Sequence, residues 1–322
     1  MVNIMNGINK IYKSIISALI MLTLVSTIAA PVSAWGDITH AAIDAKLTNV
    51  PKPMTTHHTF TKGGGIGPDM FYFVSGEESY SVLAHTSHEA DLGRKMLSLA
   101  GKSSTQQAYA YGWLTHDASD IVGHTGYVVK IAGTDSTLHS YVEIGVDANL
   151  VSITPLSFSV PYLLVQNAYK STYGPANTPS YGAIVKAAQT EAAIIYTEKT
   201  MIKLGLFNNL KNKYKDFWSI YKDSISYSEV IVNNPSKLPN ANLYTGSIIS
   251  SASITPASIS QVSNDIIAPS KEMLDTGIID VQVKDDKENH YITISEPVVK
   301  NKKAFDDNVA KLMTKMKSKI GK

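Results

Sequence analysis

The sequence feature that most constrains the fold is a regular series of metal-binding side chains, His116, Asp120 and His124, in the pattern H-x-x-x-D-x-x-x-H. Four residues advance an α-helix by roughly 400°, so the three side chains stay on one face and drift by about 40° per step. Imidazole and carboxylate groups both bind zinc, and a carboxylate can bridge two ions. The series predicts a central helix over about 105–129 that carries metal ligands. A single triplet also arises by chance, so the other candidate ligands decide the interpretation.

The first 34 residues have the pattern of a secretory signal peptide. Lys10 and Lys13 precede an apolar run over residues 14–30, and small residues up to Ala34 offer a cleavage site. The run is short for a membrane span, although a retained membrane anchor is the alternative. We therefore expect cleavage after Ala34, a secreted or extracellular protein, and Trp35 as the new N-terminal residue.

The composition restricts the classes of partner. Without Lys10 and Lys13, the basic side chains equal the 27 acidic ones in number, so no net field attracts nucleic acid. Arg94 is the single arginine, whereas nucleic-acid proteins favour this bidentate phosphate-binding group. We expect no nucleic-acid partner. Because the chain has no cysteine, a secreted domain of this sequence is held by a large core, by metal, or by both.

Further candidate ligands lie before the central series. With Trp35 at the N-terminus, its amine and carbonyl oxygen can chelate a metal, and His40 follows at the start of a helical pattern. The alternative is a buried Trp35 and an exposed His40. The glycine run at 63–67 lacks the Lys-Ser/Thr of a phosphate loop. We interpret it as a close approach of two backbones, with Asp69 projecting from its end.

Two more predicted helices complete the set. The apolar pattern of residues 78–100 predicts one helix, on which His85 is the inward candidate. His139 and Glu143 form an H-x-x-x-E pair that can chelate one metal across a helical turn, although such pairs also occur on helix surfaces. We expect Asp117 beside the ligands or in solvent. Four other histidines are expected on the surface or beside the ligands: His57, His58, His88 and His290.

After the signal peptide of residues 1–34, the chain divides into three parts. Residues 35–232 carry the helical patterns of a catalytic domain. Residues 233–269 are rich in Ser, Asn, Thr and Pro and predict a linker or an irregular wrap. Residues 270–322 predict a hairpin and a basic amphipathic helix. For this helix we favour docking on its own domain over a role at a membrane surface.

The inward candidates are too many for one tetrahedral zinc ion and suit three ions. They are Trp35 through its main chain, His40, Asp69, His85, His116, Asp120, His124, His139 and Glu143.

In the order of these ligands, the sequence resembles the bacterial zinc-dependent phospholipase C family. The resemblance covers about 35–150 and extends more loosely to residue 232. Three short motifs add to it: G-P-D at 67–69, L-A-H at 83–85 and H-S-Y-V-E at 139–143. It implies an all-α, multi-helix domain with a three-zinc site at the bottom of a cleft, followed here by a short mixed C-terminal extension.

The resemblance also implies a role for each ligand. Asp69 and Asp120 are the expected catalytic carboxylates. Asp120 would bridge two ions, and Asp69 would orient or deprotonate the attacking water, or only hold zinc. The implied groups are Asp69, His85, His116 and Asp120 on the first zinc, His124, His139 and Glu143 on the second, and the Trp35 main chain, His40 and Asp120 on the third.

The implied activity is that of a phosphodiesterase that releases diacylglycerol and a phosphorylated headgroup from phospholipid at a membrane surface. Three zinc ions exceed the charge of three carboxylates, which suits a phosphodiester anion. We expect a monomer. One alternative is a zinc-dependent single-strand nuclease, whose opening W-G-x-x-x-H is similar to residues 35–40; Glu143 and the single arginine argue against it. Another is a non-catalytic, zinc-stabilised surface protein.

Overall fold

The helix that carries His116 and Asp120 is buried along most of its length, and other helices pack around it. The computed structural model describes residues 35–85, 89–133, 135–151, 157–242, 247–248 and 261–320. The predicted signal peptide and His88 lie outside the described residues.

Most of the described residues are helical, which confirms the predicted fold class. Up to residue 151 the helices are α1 (Asp37–Asp44), α2 (Lys52–Thr56), α3 (His58–Ile66), α4 (Glu78–Ala84), α5 (Glu89–Ala100), α6 (Ser104–Gly123), a π-helical turn (His124–Val128), α7 (Val129–Ala132) and α8 (Ser136–Leu150). The later helices are α9 (Tyr162–Tyr173), α10 (Tyr181–Lys203), α11 (Asn208–Lys213), α12 (Trp218–Asn233), α13 (Gln261–Asp275) and α14 (Lys302–Ile320), with short 3₁₀ turns at Pro175–Asn177 and Pro235–Lys237.

Helix α6 begins where the sequence provides a cap and lies close to α3 because glycines allow it. The Oγ of Ser103 accepts a hydrogen bond from the N–H of Gln106 and so caps the first turn. A Cβ on Gly64 of α3 would collide with the carbonyl oxygen of Tyr109, and a Cβ on Gly112 of α6 would collide with that of Thr61. The predicted close approach at the glycine run is therefore confirmed.

The prediction of one continuous helix over residues 78–100 is wrong. Helix α4 ends at Ala84, and α5 begins at Glu89. His85 follows α4 with φ −110° and ψ 20°, outside the helical region, so its side chain leaves the helix and points along a different direction. Because of this interruption, the direction of the His85 side chain is not set by the spacing of residues along one helix face.

The C-terminal part joins the helical domain through a small sheet. Strand β5 (Val283–Asp286) and strand β6 (Tyr291–Ile294) form the predicted hairpin, and β6 also pairs antiparallel with β1 (Phe158–Val160). Thr293 lies opposite Ser159, and their hydroxyl oxygens are 3.0 Å apart. The other strand pairs are β2 (Ala241–Asn242) with β3 (Ser247–Ile248) and β4 (Ile279–Asp280) with β7 (Val298–Val299).

The predicted irregular segment of residues 233–269 needs a correction. Residues 261–269 form the first part of α13, which packs against α10 and α8. Pro269 lies inside this helix and cannot donate to the helical hydrogen-bond series. The Oγ of Ser270 donates to the carbonyl oxygen of Ile266 at 2.6 Å. Apolar packing on α10 and α8 outweighs the local signal of Ser, Asn and Pro.

Helix α14 docks on the domain with its apolar face. Its buried residues repeat at three- and four-residue steps, and the ring of Phe305 lies 5.9 Å from that of Tyr196 on α10. The docked arrangement is therefore confirmed over a free membrane-surface helix. Among the described residues, no helix has the length and apolarity needed to span a membrane. The buried residues of this face are Phe305, Val309, Leu312 and Met316.

Candidate metal centre

Helices α1 and α6 bring His40 and Asp120 together. The Nε2 of His40 lies 3.1 Å from Oδ1 of Asp120, and both side chains are buried. The imidazole of His40 stacks on that of His116 with ring centroids 3.9 Å apart. The other ring nitrogen of His40, Nδ1, lies 3.2 Å from the hydroxyl oxygen of Ser119. The interaction fixes the ring so that Nε2 faces Asp120.

A second group of candidate ligands lies near the C-terminal ends of α3 and α4. The Nε2 of His85 lies 3.2 Å from Oδ1 of Asp69 and 3.1 Å from Nε2 of His116. The Nε2 of His116 lies 3.9 Å from Oδ2 of Asp69. All three side chains are buried, so their polar atoms face one another rather than water.

The hydrogen bonds behind these imidazoles define the chemistry of the face they share. Nδ1 of His85 lies 2.8 Å from the carbonyl oxygen of Ser81, and Nδ1 of His116 lies 2.7 Å from that of Gly65. A carbonyl oxygen can only accept a hydrogen bond, so each Nδ1 carries a proton and is the donor. In the neutral rings both Nε2 atoms then present lone pairs to each other at 3.1 Å. A cation between them satisfies both atoms, and such outer hydrogen bonds are typical of histidines that ligate metal.

Asp120 connects the two groups. Its Oδ1 faces His40, whereas its Oδ2 lies 3.5 Å from Nε2 of His116 and 3.9 Å from Nε2 of His85. Within the part of the chain that the structure describes, two sets of three residues have the spacing to hold an ion: His40, His116 and Asp120, and Asp69, His85 and His116. The two sets share His116. A carboxylate with one oxygen toward each set has the geometry of a bridging ligand.

A third set of predicted ligands lies on α8 and the π-helical turn. The Nε2 of His139 lies 2.8 Å from Oε1 of Glu143, and the ring of His124 lies 5.3 Å from that of His139. His124 faces α8 instead of the set on α6, because the helical face has drifted by about 80° over two four-residue steps. A π-helical turn also begins at this residue. The three side chains are neighbours, although they do not form a compact set of three ligand atoms like the other two.

Trp35 lies beside the first group. Its side chain is buried, stacks on Tyr127 and donates from Nε1 to the Oγ of Ser224 at 3.1 Å. The Trp35 backbone is near enough to His40 to act on the pKa of its imidazole, which it raises against the larger effect of burial. The main chain of Trp35 is thus close to the His40 imidazole, as terminal chelation would require. The expected alternative of an exposed His40 is excluded, since this residue is buried.

The imidazoles of the site differ in charge: those of His40 and His116 are neutral, whereas the surroundings of His85 stabilise a positive charge on its ring. Burial lowers the pKa of both His40 and His116 to about 4, which leaves them neutral and able to bind metal. Burial also acts to lower the pKa of His85, but the hydrogen bond and charge of Asp69 outweigh it and raise this pKa to about 9. Burial opposes the ionisation of Asp69, and the neighbouring histidines hold its pKa below the usual value.

Several buried carboxylates near the site were not predicted. Burial and neighbouring acids raise the pKa of Asp37 and Glu198 well above the usual value, and burial raises that of Asp147 to about 7. Glu191 is also buried, and burial together with the charge of Asp37 raises its pKa well above the usual value. Asp117 is also buried, which excludes the solvent-facing one of its two expected positions.

Some of these carboxylates had a signal in the sequence. Asp147 continues the four-residue series of His139 and Glu143 along α8, and Glu191 and Glu198 are seven residues apart on one face of α10. Asp147 also has a structural task, since its Oδ1 accepts hydrogen bonds from the N–H and the hydroxyl of Thr39. These bonds tie α8 to the helix that carries His40. Asp37 and Asp117 had no such spacing.

A pocket opens beside the proposed ligands. Five carboxylates contribute to its lining: Asp37, Asp69, Glu143, Asp147 and Glu198. The described residues that line it include no lysine or arginine. Buried carboxylates are stable when they are paired or coordinate metal, and this pocket offers no basic side chain for pairing. The donor set therefore fits bound cations.

The remaining histidines lie away from the centre. His58 and His290 are exposed, and His57 is partly exposed with its Nε2 2.8 Å from the hydroxyl of Ser104. The expectation that these three lie outside the site is confirmed.

An all-helical domain with buried histidine and aspartate groups of this kind defines a metal-dependent protein. The comparison of the sequence with known families identifies which one. Residues 37–234, more than half of the chain, match the family described as zinc-dependent phospholipase C, so the chain belongs to that family.

The comparison with curated proteins gives one relative, and its function is not described. An uncharacterized protein from Archaeoglobus fulgidus is 29% identical over 205 residues, which cover 58% of this chain and 58% of the relative. The chain thus spans little more than half the length of this relative. No solved structure matches the chain. Family membership supports zinc as the metal and a phospholipase-like function.

Proposed function

We propose that this protein is a secreted, zinc-dependent phosphodiesterase that hydrolyses phospholipids to diacylglycerol and a phosphorylated headgroup. The observation that carries the proposal is the pair of buried three-residue sets that share His116 and are joined by Asp120. They lie beside a pocket with both carboxylates and apolar side chains. Membership of the zinc-dependent phospholipase C family supports the reaction class.

The proposed site holds three zinc ions. The two overlapping sets support two ions: Asp69, His85 and His116 would hold one, and His40 with the Trp35 main chain would hold the other, with Asp120 shared between them. His116 can hold only one ion, because its Nδ1 lies 2.7 Å from the carbonyl oxygen of Gly65 and leaves only Nε2 for a metal. His139 and Glu143, 2.8 Å apart, support the remaining ion. The complete ligand set is the Trp35 main chain, His40, Asp69, His85, His116, Asp120, His124, His139 and Glu143.

Zinc would supply Lewis-acid stabilisation of the phosphoryl oxygens and would lower the pKa of water to about 7. The residues of the chain would hold the ions and orient the attacking water. Asp120 would help to hold two ions, since its two oxygens face different ligand sets. Asp69 is the one member of its set that also lines the pocket, so we assign it the orientation of the attacking water. Water adds to phosphorus, the bond from phosphorus to the glycerol oxygen breaks, and that oxygen leaves with a proton as the hydroxyl of diacylglycerol.

Cleavage after Ala34 would make the amine of Trp35 available to a metal. The nearness of the Trp35 backbone to the His40 imidazole supports this role. One extra residue placed before Trp35 in the mature protein is expected to weaken one zinc site and leave the others filled. Zinc per chain, measured by mass spectrometry of the metal, checks this. Full occupancy in the extended variant contradicts terminal chelation.

The partner in this proposal is phospholipid at a membrane surface, and the protein acts as a monomer without nucleic acid. The test offers the zinc-loaded mature protein vesicles of phosphatidylcholine, phosphatidylethanolamine or phosphatidylglycerol, and separately single-stranded DNA. His85→Ala is the inactive variant, and His57→Ala, at a partly exposed position outside the centre, is its matched control. We expect diacylglycerol release that a chelator and His85→Ala both abolish.

Two other results would replace the proposal. Nucleotide release without diacylglycerol would indicate the nuclease alternative. No product from any substrate, with zinc bound, would indicate a non-catalytic metal-stabilised protein.

A further inference from the structure

The C-terminal part of the chain contributes to the pocket, although it lies outside the family match. The match ends at residue 234. Helix α13 begins at Gln261, and two of its side chains, Ile266 and Ile267, line the same pocket as Asp69 and Glu143. Both isoleucines are nearly buried, at 3% and 7% exposure. The pocket of this protein is therefore completed by a segment that lies outside the matched residues.

The two isoleucines continue an apolar surface on the helical domain. Phe73, Ile144 and Ile194 line the same pocket. Isoleucine side chains form no hydrogen bonds, so a bound group gains free energy from them only by removing hydrocarbon from water. The carboxylates of the pocket suit the polar groups of a substrate. Its hydrocarbon is suited by the five apolar side chains, which are Phe73, Ile144, Ile194, Ile266 and Ile267.

Helix α13 is fixed in its position from the opposite side. Asp265, directly before Ile266, is buried and pairs with two lysines of α14. Its Oδ1 lies 2.6 Å from Nζ of Lys315, and its Oδ2 contacts Lys319. Because α14 is itself docked by a buried apolar face, the wall that α13 presents is preorganised.

We propose that Ile266 and Ile267 are specificity-determining residues that bind the glycerol backbone and the first acyl carbons of the substrate. This inference rests on the proposed phospholipase function. A phospholipid differs from a water-soluble phosphodiester by the hydrocarbon next to the scissile bond, and the wall on α13 contacts that hydrocarbon. The C-terminal part thus selects lipid over small phosphodiesters with the same headgroup.

The test compares two substrates that share a headgroup. One is dihexanoyl phosphatidylcholine below its critical micelle concentration, and the other is p-nitrophenyl phosphorylcholine, which has no glycerol or acyl group. We expect Ile267→Ala to lower kcat/KM for the lipid by roughly 10-fold or more, the scale of lost apolar contacts in a binding pocket. The value for the nitrophenyl substrate is expected to stay within about 2-fold of wild type, because that substrate lacks the hydrocarbon. Ile266→Ala is expected to act in the same direction.

The matched control is Met273→Ala. Met273 is a buried apolar residue of the same helix, but it does not line the pocket. Its loss perturbs packing of α13 without removing a wall contact. Thermal unfolding and zinc content are measured for every variant, and Ile267→Val provides a milder change if Ile267→Ala does not fold. A smaller loss in the same direction is expected for Ile267→Val.

The outcomes separate this inference from the proposed function. If wild-type protein turns over neither substrate nor any phospholipid vesicle, the proposed function fails and the inference fails with it. If wild type is active but Ile267→Ala affects both substrates equally or neither, the inference alone is overturned. The same holds if Met273→Ala reproduces the lipid-selective loss, since helix packing would then explain the effect.

Discussion

Helices α8 and α13 line the same pocket, but different forces hold their side chains in place. Helix α8 contributes Glu143 and Asp147, and Asp147 is tied to α1 through Thr39. Helix α13 contributes Ile266 and Ile267 and is held by the pairing of Asp265 with α14. The polar side therefore depends on hydrogen bonds and, in our proposal, on zinc. The apolar side depends on packing and an ion pair that need no metal.

The largest effect that sharpens this comparison is expected from Asp120→Ala. Because its two oxygens face two different sets, its loss removes a ligand from both. We expect zinc content to fall by more than one ion per chain and phosphodiesterase activity to fall by roughly 10³-fold or more, the upper range for loss of one charge-stabilising group. Asp223→Ala, on the exposed surface of α12, is the matched control. Loss of a single ion with activity retained contradicts the bridging role.

Removal of zinc by a chelator is expected to separate the metal centre from the C-terminal part. The buried ligands of α1, α6 and α8 lose the proposed ions. Amide hydrogen exchange there should therefore accelerate, by roughly 10³-fold for a site at which the free zinc concentration had been 1,000 times its Kd. Exchange in the hairpin of β5 and β6 should change by less than about 3-fold, since no proposed ligand lies there. Equal loss of protection in the hairpin would show that the C-terminal part also depends on metal.

A smaller effect is expected from Ser119→Ala. The hydroxyl of Ser119 lies 3.2 Å from Nδ1 of His40 and orients its ring. Removing such an outer hydrogen bond lowers metal affinity by about 10-fold. Competition with a zinc-binding dye measures the change. Ser98→Ala provides the control, because Ser98 is an exposed serine of α5. Unchanged zinc affinity in Ser119→Ala would argue against His40 as a ligand.

The smallest effect is expected on the apolar side, from Asp265→Asn. The substitution removes the charge that pairs with Lys315 and Lys319, both of which can return to water, so we expect a loss of about 1–2 kcal/mol in the free energy of unfolding. Asp307→Asn removes an exposed pair with Lys303 and is expected to leave the free energy of unfolding almost unchanged. Urea unfolding of the zinc-loaded protein measures both. Equal losses would show that the burial of Asp265 adds no stability to its pairing with Lys315 and Lys319.

The candidate site could be predicted in good part because its residues follow local spacing. His116 and Asp120 are four residues apart on one helix, as are His139 and Glu143. The backbone hydrogen bonds of a helix fix this spacing regardless of the rest of the chain. The drift of His124 toward α8 also follows from this geometry, whereas the break after Ala84 and the π-helical turn that begins at His124 did not follow from spacing.

The C-terminal part illustrates the opposite case. The amphipathic pattern predicted α14, because its buried positions repeat with the period of a helix. The polar composition of residues 261–269 predicted irregular structure instead. These residues are helical because α10 and α8 provide a surface for Ile266 and Ile267, and tertiary packing overrides local propensity.

By itself the sequence determined an all-helical domain, the candidate metal-binding side chains, and which of them lie on the same helix. The tertiary structure alone decided that His116 serves two sets, that Asp120 joins them, and that Asp37, Asp147 and Glu198 surround the pocket. It also placed Ile266 and Ile267 in the wall. The physical reason is that a helix repeats within a few residues, whereas contacts between distant segments depend on how the whole chain packs.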